Sequence, residues 1–184
     1  MRLFIATSFP PAVLGDLNDR IARFKSRLPA ASWVRPETQH LTFAFLGDQP
    51  ETLIETLTVP LGAAIGKLSR FDATLQGCGY FPNPRHARVG WIGLEPNDKF
   101  SAIANAVRDV VAKSGVELDR ADFKPHLTVM RMREGWPPSS IELFSKSMRD
   151  YRSEPFAVDT ITLYSSELQP KGAIHIAQRT FALA

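Results

Sequence analysis

Two short segments of this sequence carry the same side-chain chemistry at matched positions. His40-Leu41-Thr42-Phe43 and His126-Leu127-Thr128-Val129 lie 86 residues apart in a chain of 184. Successive side chains of a β-strand point to opposite faces. In His40–Phe45 that alternation groups Leu41, Phe43 and Phe45 against His40, Thr42 and the small Ala44. The second copy sorts Leu127 and Val129 against His126 and Thr128. Each strand therefore offers one imidazole and one hydroxyl from its polar face. If two lobes set those faces across a cleft, two imidazoles and two hydroxyls converge.

Such a set suits phosphoryl chemistry. In-line attack on a phosphodiester requires a base to deprotonate the nucleophile and an acid to protonate the departing oxygen on the opposite side. Histidine, ordinarily titrating near pH ~6.5, can hold either role. Threonine hydroxyls can donate to non-bridging phosphate oxygens as charge develops there. A lone histidine beside a threonine is more often structural; it is the matched pair that points to function. A metal site is not expected. No His-Glu-x-x-His or Cys-x-x-Cys motif occurs, each strand supplies one imidazole, and the nearest acids, Glu37 and Asp122, lie off the motif.

The elements that must position these strands repeat at nearly the same offset. Strands begin near Arg2 (Arg2-Leu3-Phe4-Ile5) and near Arg88 (Arg88-Val89-Gly90-Trp91-Ile92). Helical periodicity follows from Pro11 to Leu28 through Val13, Leu17, Ile21 and Phe24. It returns from Asp98 to Ser114 through Ile103, Val107, Val110 and Val111, with Asp98 as N-cap and Gly115 as stop. After each His-Leu-Thr strand comes another helix. One spans Glu51 to Leu68, where Pro60 should kink or split it, and the other spans about Ser139 to Met148. Strands Phe71–Gln76 and Phe156–Leu163 close the two halves, Gly77–Arg85 is the expected joint, and Ala173–Leu183 is a last strand. The expected fold is α+β, a duplicated bilobal domain. Two pseudo-twofold-related sheet-and-helix lobes flank a central cleft, with an internal repeat of roughly 2–77 and 88–165.

Composition agrees with one globular domain. The chain has 44% hydrophobic and 22% charged residues, and its mass is 20.5 kDa. No apolar run approaches a membrane span, and Pro10-Pro11 directly after the short opening strand argues against a signal peptide. A single cysteine, Cys78, fits a reducing compartment, so the cytoplasm is expected. The net charge of +3 permits an anionic substrate, but no basic block resembles a DNA-binding arm.

Over essentially its whole length the chain resembles the two-histidine phosphoesterases, and within them the bacterial and archaeal RNA 2′,3′-cyclic phosphodiesterases, once described as 2′-5′ RNA ligases. The resemblance rests on Arg2-Leu3-Phe4-Ile5-Ala6, Trp33-Val34-Arg35-Pro36-Glu37, His40-Leu41-Thr42-Phe43-Ala44-Phe45-Leu46-Gly47, Gly79-Tyr80-Phe81-Pro82, Pro125-His126-Leu127-Thr128-Val129 with Arg131, and Leu163-Tyr164-Ser165-Ser166. It implies that His40 is the general acid and His126 the general base. His126 would activate water against a terminal 2′,3′-cyclic phosphate and His40 would protonate the departing 3′ oxygen, leaving a 2′-phosphate. Thr42 and Thr128 would hold the phosphate. The residues alone leave open which histidine takes which role, since the two copies look equivalent.

Arg131 is the candidate phosphate clamp, although strict alternation places it with Leu127 and Val129. It reaches the cleft only if its strand twists, ends or bulges. Phe123 could stack a base, Trp33 and Tyr164 less so, with core burial as the alternative for all three. Lys124 and Arg133 could steer phosphates or simply solubilise the strand. His86 is read as an exposed spectator. His175, where a tyrosine is common in the family, is read as structural, or at most as edging the cleft. No cofactor or metal is called for, and a monomer supplies both strands. The resemblance implies RNA ending in a 2′,3′-cyclic phosphate as the substrate, with reversible 2′-5′ ligation alongside hydrolysis. A small cyclic nucleotide, an ADP-ribose cyclic phosphate or a 2′-5′ oligonucleotide is the alternative, and a non-catalytic RNA- or nucleotide-binding module is the alternative of another class.

Overall fold

Among the described residues the four helical periodicities become four helices, and the other apolar runs pair into two antiparallel sheets. The computed structural model describes residues 1–119, 121–169 and 172–184. The order is β1 (Arg2–Ser8), α1 (Pro11–Lys25), β2 (Ser32–Trp33), β3 (His40–Asp48), α2 (Thr52–Ile65), β4 (Phe71–Phe81), β5 (Val89–Glu95), α3 (Asn97–Lys113), β6 (His126–Arg131), α4 (Pro138–Met148), β7 (Phe156–Val158), β8 (Thr160–Gln169) and β9 (Gly172–Ala182). Short 3-10 turns sit at Pro36–Thr38 and Pro84–His86. The fold is α+β with two sheets, ordered β3-β1-β8-β9 and β2-β6-β5-β4-β7.

Local chemistry sets the helix ends. α1 opens on Pro11, where the missing N–H costs no helical bond, and closes with Arg23 and Lys25 against its negative end. Its buried stripe is Val13, Leu14, Leu17, Ile21 and Phe24. Pro60 does not split α2. It lies on the exposed face, so the carbonyl it leaves unpaired can bond water. Pro96 rather than Asp98 takes the N-cap position of α3, and Asp98 falls in the first turn, where its charge favours the dipole.

Two expectations need correction. The segment read as the joint is mostly strand, because β4 runs on to Phe81. Only then does Asn83 turn the chain, its side-chain oxygen accepting the N–H groups of Arg85 and His86. The closing strand read as Phe156–Leu163 is two strands. β7 pairs with β4 in the second sheet, and past Asp159 the chain crosses to the first sheet as β8.

The closing strands are also exchanged. β4 follows the first His-Leu-Thr strand in sequence but pairs with β5, while β8 follows the second and pairs with β1. The triplets β3-β1-β8 and β6-β5-β4 thus share strand order and direction. α3 packs on β3 and on α2, while Phe24 of α1 meets Phe144 of α4, and α4 packs on β4. Phe43, Phe100 and Phe144 are the largest fully buried side chains of one continuous core. Among the described residues no helix is long and apolar enough to cross a membrane.

Candidate active site

The geometry begins with the same irregularity in both motif strands. Along β1, Ser8, Ala6, Ile5 and Phe4 stand opposite His40, Thr42, Ala44 and Phe45, which leaves Phe43 without a partner. Along β5, Gly93, Trp91, Gly90 and Val89 stand opposite His126, Thr128, Met130 and Arg131, which leaves Val129 unpartnered. These are β-bulges, and each reverses the alternation beyond it. Phe43 and Ala44 are consequently both buried, as are Val129 and Met130. The expected grouping of Phe45 with Leu41 and Phe43 fails for this reason. Phe45 emerges on the His40–Thr42 face, 59% exposed. Arg131 emerges in the same way beside His126 and Thr128, so the parity conflict is resolved by the bulge at Val129.

Both histidines are held by one device. His40 Nδ1 lies 2.7 Å from the Thr38 carbonyl oxygen, and His126 Nδ1 lies 2.6 Å from that of Lys124, two residues earlier in each case. A carbonyl can only accept, so Nδ1 carries the hydrogen and the neutral ring keeps its lone pair on Nε2. Burial pushes the His40 imidazolium down to about 4. The Thr38 carbonyl opposes that shift, while the charges of His175, Arg131 and His126 add to it. Burial likewise lowers His126, against its Lys124 carbonyl and with help from the Arg131 and Lys124 charges. The charge of Arg131 thus bears on both rings, which places the two strands' polar faces at one site.

Aromatic walls complete the setting. Phe4 lies 4.9 Å from the His40 ring and stacks on Tyr164 at 5.3 Å. Phe81 meets His126 edge-on at 4.8 Å, and Trp91 stands 6.2 Å away with Lys124 Nζ over its ring at 4.6 Å. Trp91 is 6% exposed, and its Nε1 has no hydrogen-bond partner among the described residues. A Cβ at Gly79, directly across β4, would come within 2.2 Å of the indole, so a glycine there lets that ring lie over the backbone.

The other candidates divide. Lys124 is at the site and exposed, and Tyr164, half-buried, joins it through Phe4. Phe123, expected as a base platform, is instead half-buried on the core side, its ring stacked on Phe43 at 5.9 Å. Trp33 packs against the core at the sheet edge, under Lys25 Nζ. Exposed Arg133 lies beyond β6, its carbonyl accepting from Arg88, and His86 is exposed on its turn. His175 is the main correction, since its ring stands 4.9 Å from that of His40 and 4.9 Å from Phe4. Its alternation with Ile174 and Ile176 signalled a different face, but only the pairing of β9 with β8 says which. Among the described residues, no three His, Cys, Asp or Glu side chains converge to hold a metal.

The profile of the 2′-5′ RNA ligase superfamily matches residues 11–170. A Thermotoga maritima protein named RNA 2′,3′-cyclic phosphodiesterase is 30% identical over 95% of this chain and 91% of its own length. An Archaeoglobus fulgidus protein of the same name is 32% identical over 98% and 99%. Among solved structures, a Thermus thermophilus protein superposes with TM-score 0.76 at 28% identity, covering 99% of this chain and 97% of that one. Escherichia coli LigT complexed with 3′-AMP superposes with TM-score 0.75 at 25% identity and the same coverage. Fold and site together are those of a two-lobed phosphoesterase. The chain belongs to the 2′-5′ RNA ligase superfamily.

Proposed function

We propose that this protein is a metal-independent RNA 2′,3′-cyclic phosphodiesterase that opens a terminal cyclic phosphate to a 2′-phosphate, with reversible 2′-5′ ligation when a 5′-hydroxyl takes the place of the attacking water. The names of the Thermotoga maritima and Archaeoglobus fulgidus relatives support the substrate class. The observation that carries the chemistry is the pair of imidazoles. Each is anchored through Nδ1–H to a carbonyl two residues back, and each lies on a bulged strand, the bulge in β6 being the one that lets Arg131 share the site.

In the forward direction His126 Nε2 accepts a proton from water as its oxygen bonds to phosphorus. The P–O3′ bond breaks, and the 3′ oxygen takes the proton that His40 carries on Nε2. The hydroxyls of Thr42 and Thr128 donate to the non-bridging oxygens, and Arg131 offsets their charge, with Lys124 beside them. Burial keeps both imidazoles neutral in the empty cleft at neutral pH. That state suits the base, and an arriving phosphate anion favours the imidazolium the acid requires. The same reading takes the chain as one cytoplasmic, monomeric domain with an internal repeat of roughly 2–77 and 88–165 and the strand at 173–183 outside it. The matched strand order and matched bulges support that repeat.

The test is a short RNA ending in a 2′,3′-cyclic phosphate, incubated in excess EDTA with wild type beside His126→Ala. A 2′-phosphate from wild type alone is expected. A 3′-phosphate, or activity lost in EDTA and restored by a divalent ion, overturns the mechanism. Turnover confined to cyclic mononucleotides moves the substrate class.

A further inference from the structure

The sequence leaves the two motif histidines equivalent, and the structure breaks that equivalence at the ring each meets edge-on. Each imidazole is anchored through Nδ1 to a carbonyl and meets one aromatic ring edge-on. For His126 the edge-on ring is the phenyl of Phe81, at 4.8 Å and 83°. For His40 it is the imidazole of His175, at 4.9 Å and 81°. Phe4 closes the triangle, 4.9 Å from His40 and 4.9 Å from His175. One histidine is therefore clamped by an inert ring and the other by a ring that can take up a proton.

We propose that His175 is a positioning residue for His40: it fixes the His40 ring edge-on and makes the two imidazoles of that wall bind protons competitively, so that the wall carries a single proton to the leaving oxygen. The inference deepens the cyclic-phosphodiesterase reading, because it gives the acid side of the reaction two coupled imidazoles and the base side one. Two imidazolium charges about 5 Å apart repel strongly where water is scarce. His40 is the more deeply buried of the two, and the His175 charge is the largest of the three that lower its affinity for a proton. His175 itself is lowered by burial alone. The first proton thus goes to His175 in the empty cleft, and a phosphate anion seated against His40 draws it to the reacting ring.

Among the described residues, further charged and titratable groups stand around the wall. Arg131 and His126 of β6 face His40. Tyr164 of β8, stacked on Phe4, lies 6.5 Å from His175. The Arg35 guanidinium reaches the carbonyl of Ala173, two residues from His175, at 3.5 Å. Glu37 is exposed on the neighbouring turn, and Glu55 of α2 pairs with Arg179 towards the other end of β9.

The proposal is tested by following the imidazole carbon-bound protons of full-length protein by NMR between pH 3 and 9, in wild type and in His175→Phe. The phenylalanine reproduces the Phe81 arrangement without a titrating group. Wild type is expected to show a two-step curve for His40. In His175→Phe the curve becomes single-step and its midpoint rises by roughly one pH unit. A role in packing alone predicts the opposite sign, because a phenyl desolvates His40 further. A single-step wild-type curve, or a midpoint unchanged or lowered in the variant, overturns the proposal. Should His175→Phe fail to fold, His175→Gln carries the same expectation. The titration needs no substrate, so it stands even if the cyclic phosphate proves not to be turned over. On active protein, the alkaline limb of the kcat profile should shift upward in His175→Phe, with His86→Phe as an unaffected control.

Discussion

The half-buried His40 makes stability pH-dependent over a window the structure defines. In the unfolded chain His40 titrates near 6.5, and in the folded protein burial holds it down to about 4. The folded state therefore binds fewer protons than the unfolded state between those values. Stability is at full strength above pH 6.5 and falls as the pH drops through the folded value, below which the loss is complete. Two and a half pH units at ~1.4 kcal/mol each give about 3 kcal/mol, a sizeable part of the ~5–15 kcal/mol typical of a domain. The perturbation is His40→Asn, whose amide can still donate to the Thr38 carbonyl but does not titrate. Urea unfolding of both proteins at pH 4, 5, 6 and 7 is the assay. Other carboxylates and histidines contribute to each curve, so the quantity read is the difference between wild type and variant. It should move by about 3 kcal/mol in the variant's favour from pH 7 to pH 4, nearly all of it below pH 6.5. A difference that stays constant across that range refutes the burial argument for His40.

Three further outcomes are expected. His126→Ala should lower kcat on a 2′,3′-cyclic phosphate RNA by roughly 10²–10⁴-fold, the usual worth of a general base, while His86→Ala leaves the rate unchanged in the same assay. Arg131→Gln should lower kcat/KM by about tenfold to a hundredfold, as expected for a charge-assisted phosphate contact, with Arg131→Lys recovering part of the loss. Gly79→Ala should destabilise the fold by roughly 1–3 kcal/mol in urea unfolding, because its Cβ would stand 2.2 Å from the Trp91 indole, with a change in tryptophan fluorescence as the ring shifts.

Much of this site is a local property of the chain. Alternation along a strand is enough to put His40 with Thr42 and His126 with Thr128, and 3.6-residue periodicity is enough to find four helices within a few residues of their ends. The pairing of two identical motifs near matched offsets made phosphoryl chemistry readable before any contact was known. The bulges at Phe43 and Val129, the exchange of β4 and β8 between sheets, and the placement of His175 against His40 were not readable in that way. The bulges show only in cross-strand register, where Ala6 and Ile5 stand opposite Thr42 and Ala44 and skip Phe43, and Trp91 and Gly90 stand opposite Thr128 and Met130 and skip Val129.

What the sequence by itself determined, then, was which groups could react and that each His and Thr would share a face, because side-chain direction within a short strand depends only on the chain's own geometry. Which groups would meet was settled by tertiary structure. Arg131 turns into the site because Val129 and Met130 both bury themselves, and Phe45 turns out of the core because Phe43 and Ala44 do. His175 reaches His40 because β9 pairs with β8, whose Tyr164 lies beside Phe4 at the far end of the chain. Register and strand order of this kind follow from burying apolar surface between segments that lie tens of residues apart, and for β1 and β8 more than a hundred, a free energy that no local pattern contains.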